Sequence, residues 1–195
     1  MNKKLLFSIL IVIVAVLLIL TFAEKDERLN AYEIEELRTQ YPIYGDINKV
    51  NPLIEIGVVK TTLKELSQRA DTFVYGEITE EVPVYSVYSY AKFYGYKLRV
   101  FKDAHRKIAQ GEEIIIIANT EFKDYNPSLS VGMKVVVPVA ENKSQQGKYN
   151  FDVCMYYVTE DGFVLSAFDE KEMLDKEYSG IKIEKFLNEI KKYPL

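Results

Sequence analysis

A run of 19 residues near the N-terminus, apolar except for Ser8 and Thr21, is the feature that most constrains this chain: LLFSILIVIVAVLLILTFA at residues 5–23. As an α-helix it would extend about 28 Å, close to the roughly 30 Å of a bilayer's hydrocarbon core. Lys3 and Lys4 precede it, so the positive-inside rule predicts a cytoplasmic N-terminus and an extracytoplasmic location for all that follows. The sequence therefore predicts a single-pass protein of the cell membrane that contacts lipid through residues 5–23.

The same run allows a second interpretation, a signal segment that is cleaved. Secretory signals have apolar regions of about 7–15 residues, so the longer run here favours a retained anchor. Residues 21–23, Thr-Phe-Ala, nevertheless fit a small-x-small cleavage site, and cleavage near Ala23 would release a secreted protein that begins at Glu24. No cysteine follows the run directly, so lipoprotein processing is not expected.

The remainder of the chain has the composition of a globular domain. The 195 residues are 48% hydrophobic and 28% charged, which argues against disorder. Without Lys3 and Lys4 the chain has 23 basic and 29 acidic residues. A mildly acidic domain lacks the electrostatic footprint of a nucleic-acid-binding protein, so no nucleic-acid partner is expected. Cys154 is the only cysteine, so no intramolecular disulfide can form and the fold depends on its core.

Helix signals lie on both sides of a block of strands. Residues 24–40 are rich in helix formers and carry apolar residues at helical spacing, which predicts a helix that continues from the apolar run or closely follows it. Proline and glycine residues then indicate a linker up to residue 60. Thr62 and Glu65 predict a capping box at the start of a short helix. One apolar face predicts a C-terminal helix through Ile183, Phe186, Leu187 and Ile190.

Between these helices the sequence predicts six or seven short strands. They are TFVYGEIT, VPVYSVYSYAKF, YKLRVF, EEIIIIAN, KVVVPVA, FDVCMYYVT and GFVLSAF. Gly76 indicates a bulge or bend in the first strand, and Pro138 moves the fifth towards a sheet edge or a bulge. Asp161 and Gly162 predict a hairpin between the last two strands. Because the connections are short, the predicted fold class is mainly β with flanking helices, built on a small antiparallel barrel or sandwich.

Four stretches of the strand block form a series: ADTFVYGEI, YKLRVFKDAHRKIAQGEEIIIIA, LSVGMKVVVPVA and YYVTEDGFVLSAF. This series, over about residues 70–168, resembles a group of poorly characterised extracytoplasmic proteins of Gram-positive bacteria. The turns of the group's pattern coincide with Gly111, Gly132 and Gly162. Pro138 departs from the pattern, which has an apolar residue there. The resemblance implies an OB-like β-barrel behind a signal or anchor, and it carries no catalytic residue over to this chain.

These signals divide the chain into three parts. Residues 1–23 form the predicted transmembrane anchor or signal segment, and residues 24–60 a juxtamembrane helix and linker. Residues 61–195 form the predicted extracytoplasmic domain, an OB-like β-barrel with a C-terminal helix.

The sequence holds few candidates for catalysis. His105 is the only histidine and lies in a charged connector, which indicates a structural or solvated side chain rather than a triad or metal site. Cys154 lies in an apolar pattern, where a buried thiol behaves as a small hydrophobe. Adjacent acidic residues such as Glu80 and Glu81 point to opposite faces of a strand and make no site by themselves. No phosphate-binding loop or dinucleotide fingerprint is present, so no cofactor, metal or catalytic residue is expected.

The best candidate for a binding surface is an aromatic and basic stretch. Residues 85–97, YSVYSYAKFYGYK, hold five tyrosines and a phenylalanine. Lys97 and Arg99 alternate with Leu98 and Val100, which predicts one basic strand face. Such a face would be either solvated or a contact for an anionic polymer or anionic lipid. The predicted binding surface consists of Tyr88, Tyr90, Lys92, Lys97 and Arg99.

Alternation through one strand over residues 82–93 predicts that Val87, Ala91 and Phe93 point inward while the tyrosines and Lys92 point outward. Exposed rings can stack on sugars, bases or peptide side chains. The alternative is that the flanking helices cover them. The sequence therefore favours a non-catalytic binding module whose partner is a protein, a peptide or a cell-wall polymer. The other hypothesis is a secreted hydrolase or enzyme regulator with a site assembled from scattered carboxylates.

Overall fold

The computed structural model describes residues 28–43, 62–87, 91–127, 129–152, 154–167 and 178–193. The fold is mainly β, with one seven-stranded sheet and a few helices. The strands are β1 (Thr72–Val87), β2 (Ala91–Asp103), β3 (Glu113–Asn119), β4 (Lys134–Glu141), β5 (Lys148–Phe151), β6 (Tyr156–Val158) and β7 (Val164–Ser166). The helices are α1 (Ala31–Leu37), α2 (Leu63–Arg69), α3 (Ile183–Ile190) and a 3-10 helix (Thr120–Tyr125).

Within these described ranges no helix has the length and apolar character needed to cross a membrane. Residues 5–23 lie outside them, so the membrane segment stays a prediction, as does the division of the chain at residues 23 and 60. The helix predicted over residues 24–40 is found from Ala31 to Leu37, after Asn30 as N-cap, while residues 24–27 lie outside the described part.

The strand pairings run in a circuit from β1 through β2, β3, β5 and β4 back to β1. All of these pairs are antiparallel except β3 with β5, which is parallel, so the predicted all-antiparallel arrangement is wrong at this pair. β6 extends the sheet from β4, and β7 pairs with β6. The hairpin predicted at Gly162 is confirmed by the β6–β7 pairing.

One predicted strand, over residues 82–93, is instead the end of one hairpin. β1 and β2 are long strands that pair as far as Val87 opposite Ala91, and residues 88–90 between them lie outside the described part. The prediction was wrong because this reversal carries neither glycine nor an Asn-Gly signal, so the local sequence continues to look like a strand.

Two glycines let neighbouring strands approach closely. A register shift in the β1–β2 ladder follows Tyr75 and confirms the irregularity predicted at Gly76. A Cβ atom on Gly76 would lie 2.4 Å from the backbone oxygen of Arg99. A Cβ atom on Gly95 would lie 2.2 Å from the backbone oxygen of Ile116. Any larger residue at either position would push the two strands apart.

Pro138 lies in a strand that is paired on both sides, so the predicted edge position is wrong. β4 pairs with β1 on one side and with β5 and β6 on the other. The Pro138 carbonyl accepts a hydrogen bond from the backbone N–H of Asp152, at 3.0 Å, in the gap between β5 and β6. The same gap breaks the strand predicted over residues 151–159. A missing N–H is tolerated here because no ladder crosses the gap.

The sheet separates two apolar cores. The first fills the inside of the strand circuit with side chains such as Leu98, Ile116 and Val137. The second lies between the sheet and helices α2 and α3 and contains Phe73 and Tyr156, whereas α1 packs against the first core. The predicted apolar face of the C-terminal helix is confirmed, because Ile183, Phe186, Leu187 and Ile190 of α3 are all buried in this second core.

The capping box predicted for α2 is also present. The hydroxyl of Thr62 accepts from the backbone N–H of Glu65 at 3.1 Å. The carboxylate of Glu65 accepts from the backbone N–H of Thr62 at 2.7 Å. Together they fix the start of the helix that delivers Leu63 and Leu66 to the second core.

Candidate functional site

A groove lies next to the part of β1 that no longer pairs with β4. The last backbone contacts from β1 towards β4 are hydrogen bonds from Ile78 N to Met133 O (2.9 Å) and from Gly132 N to Ile78 O (2.8 Å). Beyond them, residues 79–87 of β1 pair with β2 alone among the described strands. We call residues 79–87 the free edge of β1.

The groove lies between the free edge and the 3-10 helix and has a volume of about 320 Å³. It is lined by residues 81–84 of the free edge, residues 94–96 of β2 and Lys123 of the 3-10 helix. Its volume is at the lower end of the range of small-ligand pockets. Pro83 and Val84 present apolar surface to solvent here, and Val84 is 55% exposed.

Two tyrosine rings form the floor of the groove. The ring centroids of Tyr94 and Tyr96 are 6.1 Å apart and nearly perpendicular. Phe151 packs behind both, at 6.2 Å from Tyr94 and 6.5 Å from Tyr96. Edge-to-face contacts of this kind stabilise a fixed ring arrangement. Both rings belong to the first core and are only 5% and 7% exposed, so the floor is a preformed aromatic surface of small exposed area.

A buried amide holds the first of these rings. The side-chain nitrogen of Asn126 donates to the hydroxyl of Tyr94 at 2.5 Å. Asn126 is only 3% exposed, and its Oδ1 has no hydrogen-bond partner among the described residues. A buried polar atom without a partner is costly. The unpaired Oδ1 of Asn126 is therefore a polar feature under the floor that packing alone does not explain.

The groove has one charge of each sign. Glu81 and Lys123 are both exposed, and neither forms an ion pair with another residue of the described ranges. The Lys123 ammonium lies 5.8 Å from the centroid of the Tyr94 ring, within the range of a cation–π contact. The site therefore offers an aromatic floor, an apolar wall, one carboxylate and one ammonium group.

The structure separates the residues of the predicted binding surface. Lys97 and Arg99 lie on the outer face of β2, because Leu98 and Val100 between them are buried in the first core, as the alternation predicts. By the same alternation Lys92 lies on the opposite face. Tyr88 and Tyr90 lie outside the described residues, so their part in binding stays a prediction.

The inward and outward assignment predicted around Phe93 is reversed. Tyr94 and Tyr96 face the first core, so Phe93 lies on the outer face, where its ring stacks on Tyr85 at 6.0 Å. The count was wrong because it ran through residues 88–90 as if they continued one strand. Separate counts for β1 and β2 are needed once the chain reverses.

The outer face is balanced in charge. The Lys97 ammonium lies 2.5 Å from the carboxylate of Glu80, and this hydrogen bond raises the pKa of Lys97 above its ordinary value. Arg99 lies opposite Glu77 on β1 and Glu113 on β3. Acidic residues thus flank both basic side chains, which weakens the attraction for an anionic polymer that the sequence suggests.

The end of the β1–β2 hairpin is fastened to the β4–β5 turn. The Tyr85 hydroxyl donates to Oε1 of Gln145 at 2.7 Å. The Lys148 ammonium lies 3.8 Å from the centroid of the Tyr85 ring. These contacts hold β1 in place on the side away from the groove, so the free edge is supported by a fixed strand.

His105 contacts a buried hydroxyl–carboxylate pair, and Cys154 is a buried free thiol. The Nδ1 atom of His105 lies 3.2 Å from the Thr72 hydroxyl, next to the buried carboxylate of Asp103. Burial, with a smaller contribution from the charge of Asp152, raises the pKa of the Cys154 thiol to about 12. A thiol with this pKa is protonated at neutral pH and is not a nucleophile.

The carboxylates of the described ranges do not converge on the groove. The groove is lined by a single carboxylate, Glu81. Within the same ranges, no group of three or more histidine, cysteine, aspartate and glutamate residues is placed to hold a metal ion. Glycoside hydrolysis requires two carboxyl groups that face one another across a site, and the groove does not provide them.

Sequence reasoning did not identify the groove. A signal was present in Tyr94-Gly95-Tyr96, where two rings on one strand face are separated by a residue without a side chain. No protein-family model and no curated protein sequence matches the chain. Any inference about function therefore depends on the geometry of the groove.

Proposed function

We propose that this protein is a non-catalytic binding module held at the outer surface of a bacterial cell membrane by residues 5–23. The apolar run and the two preceding lysines support the anchor and its orientation. The domain is then an extracytoplasmic OB-like barrel, as in the Gram-positive group that the sequence resembles. The circuit of five strand pairings, with its one parallel pair, supports this architecture.

The groove is the ligand-binding site of the module. The observation that carries this proposal is the preformed floor of Tyr94 and Tyr96 beside the exposed apolar residues Pro83 and Val84. Rigid aromatic side chains supply contact area at a low cost in conformational entropy, which is why they dominate binding sites. The single carboxylate and the protonated thiol favour binding over hydrolysis.

The test is a binding selection on the full chain in detergent micelles. The probes are a phage-displayed library of random dodecapeptides and a panel of cell-wall oligosaccharide fragments. Val84→Asp places a charge in the groove. Val131→Asp is the matched control, because Val131 is a similarly exposed valine, at 60%, outside the groove lining.

We expect at least one enriched ligand whose affinity falls about tenfold or more in Val84→Asp, since a charge that must be desolvated costs more than 1.4 kcal/mol. The same ligand should bind Val131→Asp as tightly as the unmodified chain. Enrichment of no ligand, or equal loss in the two variants, would refute a binding role for the groove.

A further inference from the structure

We propose that the ligand of the groove is an extended peptide that adds as a strand to the free edge of β1. This inference rests on the proposed binding function and specifies its ligand. The peptide would carry uncharged apolar side chains facing the tyrosine floor, with a basic residue near Glu81 and an acidic residue near Lys123.

The free edge supplies the main-chain part of this recognition. Among the described residues, only β2 forms hydrogen bonds with the backbone of residues 79–87. A strand edge of this kind presents a row of unpaired N–H and C=O groups, which is the template for strand addition. Because residues 81–84 also line the groove, a peptide paired with this edge would lie directly beside the groove.

The length of the edge limits what can pair with it. Proline and acidic residues on an edge are the usual protection against unwanted pairing, and Pro83 removes one donor here. Register shifts after Ile78 and after Val82 twist the edge further. A short peptide that pairs with only part of the edge fits these constraints, whereas a long flat strand of another sheet does not.

The side chains of the groove supply the selectivity. Glu81 and Lys123 are charged groups without an ion-pair partner in the described ranges, so each is open to an opposite charge on the peptide. The floor between them is the small exposed part of Tyr94 and Tyr96, which are 5% and 7% exposed, so apolar side chains of the peptide would contact ring edges rather than whole ring faces. A peptide with separated opposite charges and an apolar centre is complementary to all three features.

The experiment uses dodecapeptides selected on the full chain from a random phage-displayed library. Each selected peptide is synthesised unmodified and in two N-methylated forms, with methyl groups on alternate backbone nitrogens in one register or the other. In strand addition only every second N–H faces the protein. One methylated form should therefore lose about tenfold or more in affinity, while the other changes less than about threefold.

Charge selectivity has its own pair of variants. Glu81→Gln should weaken the selected peptides that carry a basic residue by about threefold to tenfold. Glu121→Gln, the same change at an exposed glutamate outside the groove lining, should leave their binding unchanged.

The failure of this inference is distinct from the failure of the proposed function. Equal affinity of the two methylated forms would overturn strand addition while leaving groove binding intact. Binding of an oligosaccharide but of no peptide would have the same meaning. Peptides that bind Val84→Asp as tightly as the unmodified chain would overturn both proposals.

Discussion

Replacing Asp103 with asparagine tests whether one buried carboxylate organises the connection between β2 and β3. Asp103 is 6% exposed. Its Oδ1 accepts hydrogen bonds from the Thr72 hydroxyl and from the backbone N–H of His105, the latter at 2.8 Å. Its Oδ2 accepts from the backbone N–H groups of Lys107 at 2.9 Å and Ile108 at 2.8 Å. Four donors from two parts of the chain thus converge on one side chain.

Asparagine keeps the shape of the side chain but has only one acceptor oxygen. Its NH₂ group must face two of the four donors. The Thr72 hydroxyl can rotate and accept from this group, but a backbone N–H cannot, so one or two hydrogen bonds to the carboxylate are lost. Such bonds contribute about 1.5–3 kcal/mol each, which predicts a loss of about 1.5–3 kcal/mol in the free energy of unfolding for each bond lost. Thr72→Val removes one donor and leaves three, so its expected cost is about 1–2 kcal/mol.

The measurement is urea unfolding of the full chain in micelles, followed by near-ultraviolet circular dichroism because the chain has 15 tyrosines and no tryptophan. The exposed Asp161→Asn is the matched control and should cost less than about 0.5 kcal/mol. An Asp103→Asn variant within about 1 kcal/mol of the unmodified protein, at an equal m-value, would refute the role assigned to this carboxylate.

Four further outcomes are expected. Gly95→Ala should lower the free energy of unfolding in urea by about 3 kcal/mol or more, because the new Cβ meets the Ile116 backbone. Gly111→Ala, at a φ of 85° with nothing within 4 Å of the new Cβ, should lower it by about 1–2 kcal/mol. Equal losses in the two variants would contradict this. Cys154, with a pKa of about 12, should resist iodoacetamide at pH 8 in the folded protein, where about one thiol in 10,000 is ionised, against about a quarter of ordinary thiols. The pKa of Cys154 is higher in the folded protein than in the unfolded chain, so the thiol ionises first in the unfolded chain as the pH rises. This ionisation should lower the free energy of unfolding by about 1.4 kcal/mol per pH unit between about pH 8.5 and 12. The contribution should be missing in Cys154→Ala. Mass spectrometry of membrane-bound protein should find residues 5–23 retained, and recovery of the full chain in the cytosol would contradict the anchor.

Features encoded within one turn of the chain were predicted correctly. The capping box of α2 depends on Thr62 and Glu65, three residues apart, and both hydrogen bonds form. The face of α3 follows from helical spacing, and Phe186 lies at its buried centre. The turn at Gly162 follows from its own backbone preference, with a φ of 78°. In each case the residues that decide the structure are neighbours in sequence.

Features that depend on distant strands were not predicted. Pro138 indicates a sheet edge because proline lacks an N–H donor, yet it lies in a strand paired on both sides. Proline is tolerated there because its position falls in the gap between two later strands, β5 and β6. The charge of Lys97 indicates a basic surface, yet Glu80 on the neighbouring strand neutralises it. Neither outcome follows from the local sequence, because both are set by which strand becomes the neighbour.

The sequence by itself determined the β-rich class, the start of α2 and the face that α3 buries, because these are local properties of spacing and side-chain type. The tertiary structure decided where β1 stops pairing with β2, and therefore which face the described residues of the tyrosine-rich stretch occupy. It also decided that β4 stops pairing with β1 near Ile78, which leaves the free edge and opens the groove. Strand pairing joins residues far apart in the chain, and its register is set by the packing of the whole core rather than by any one segment.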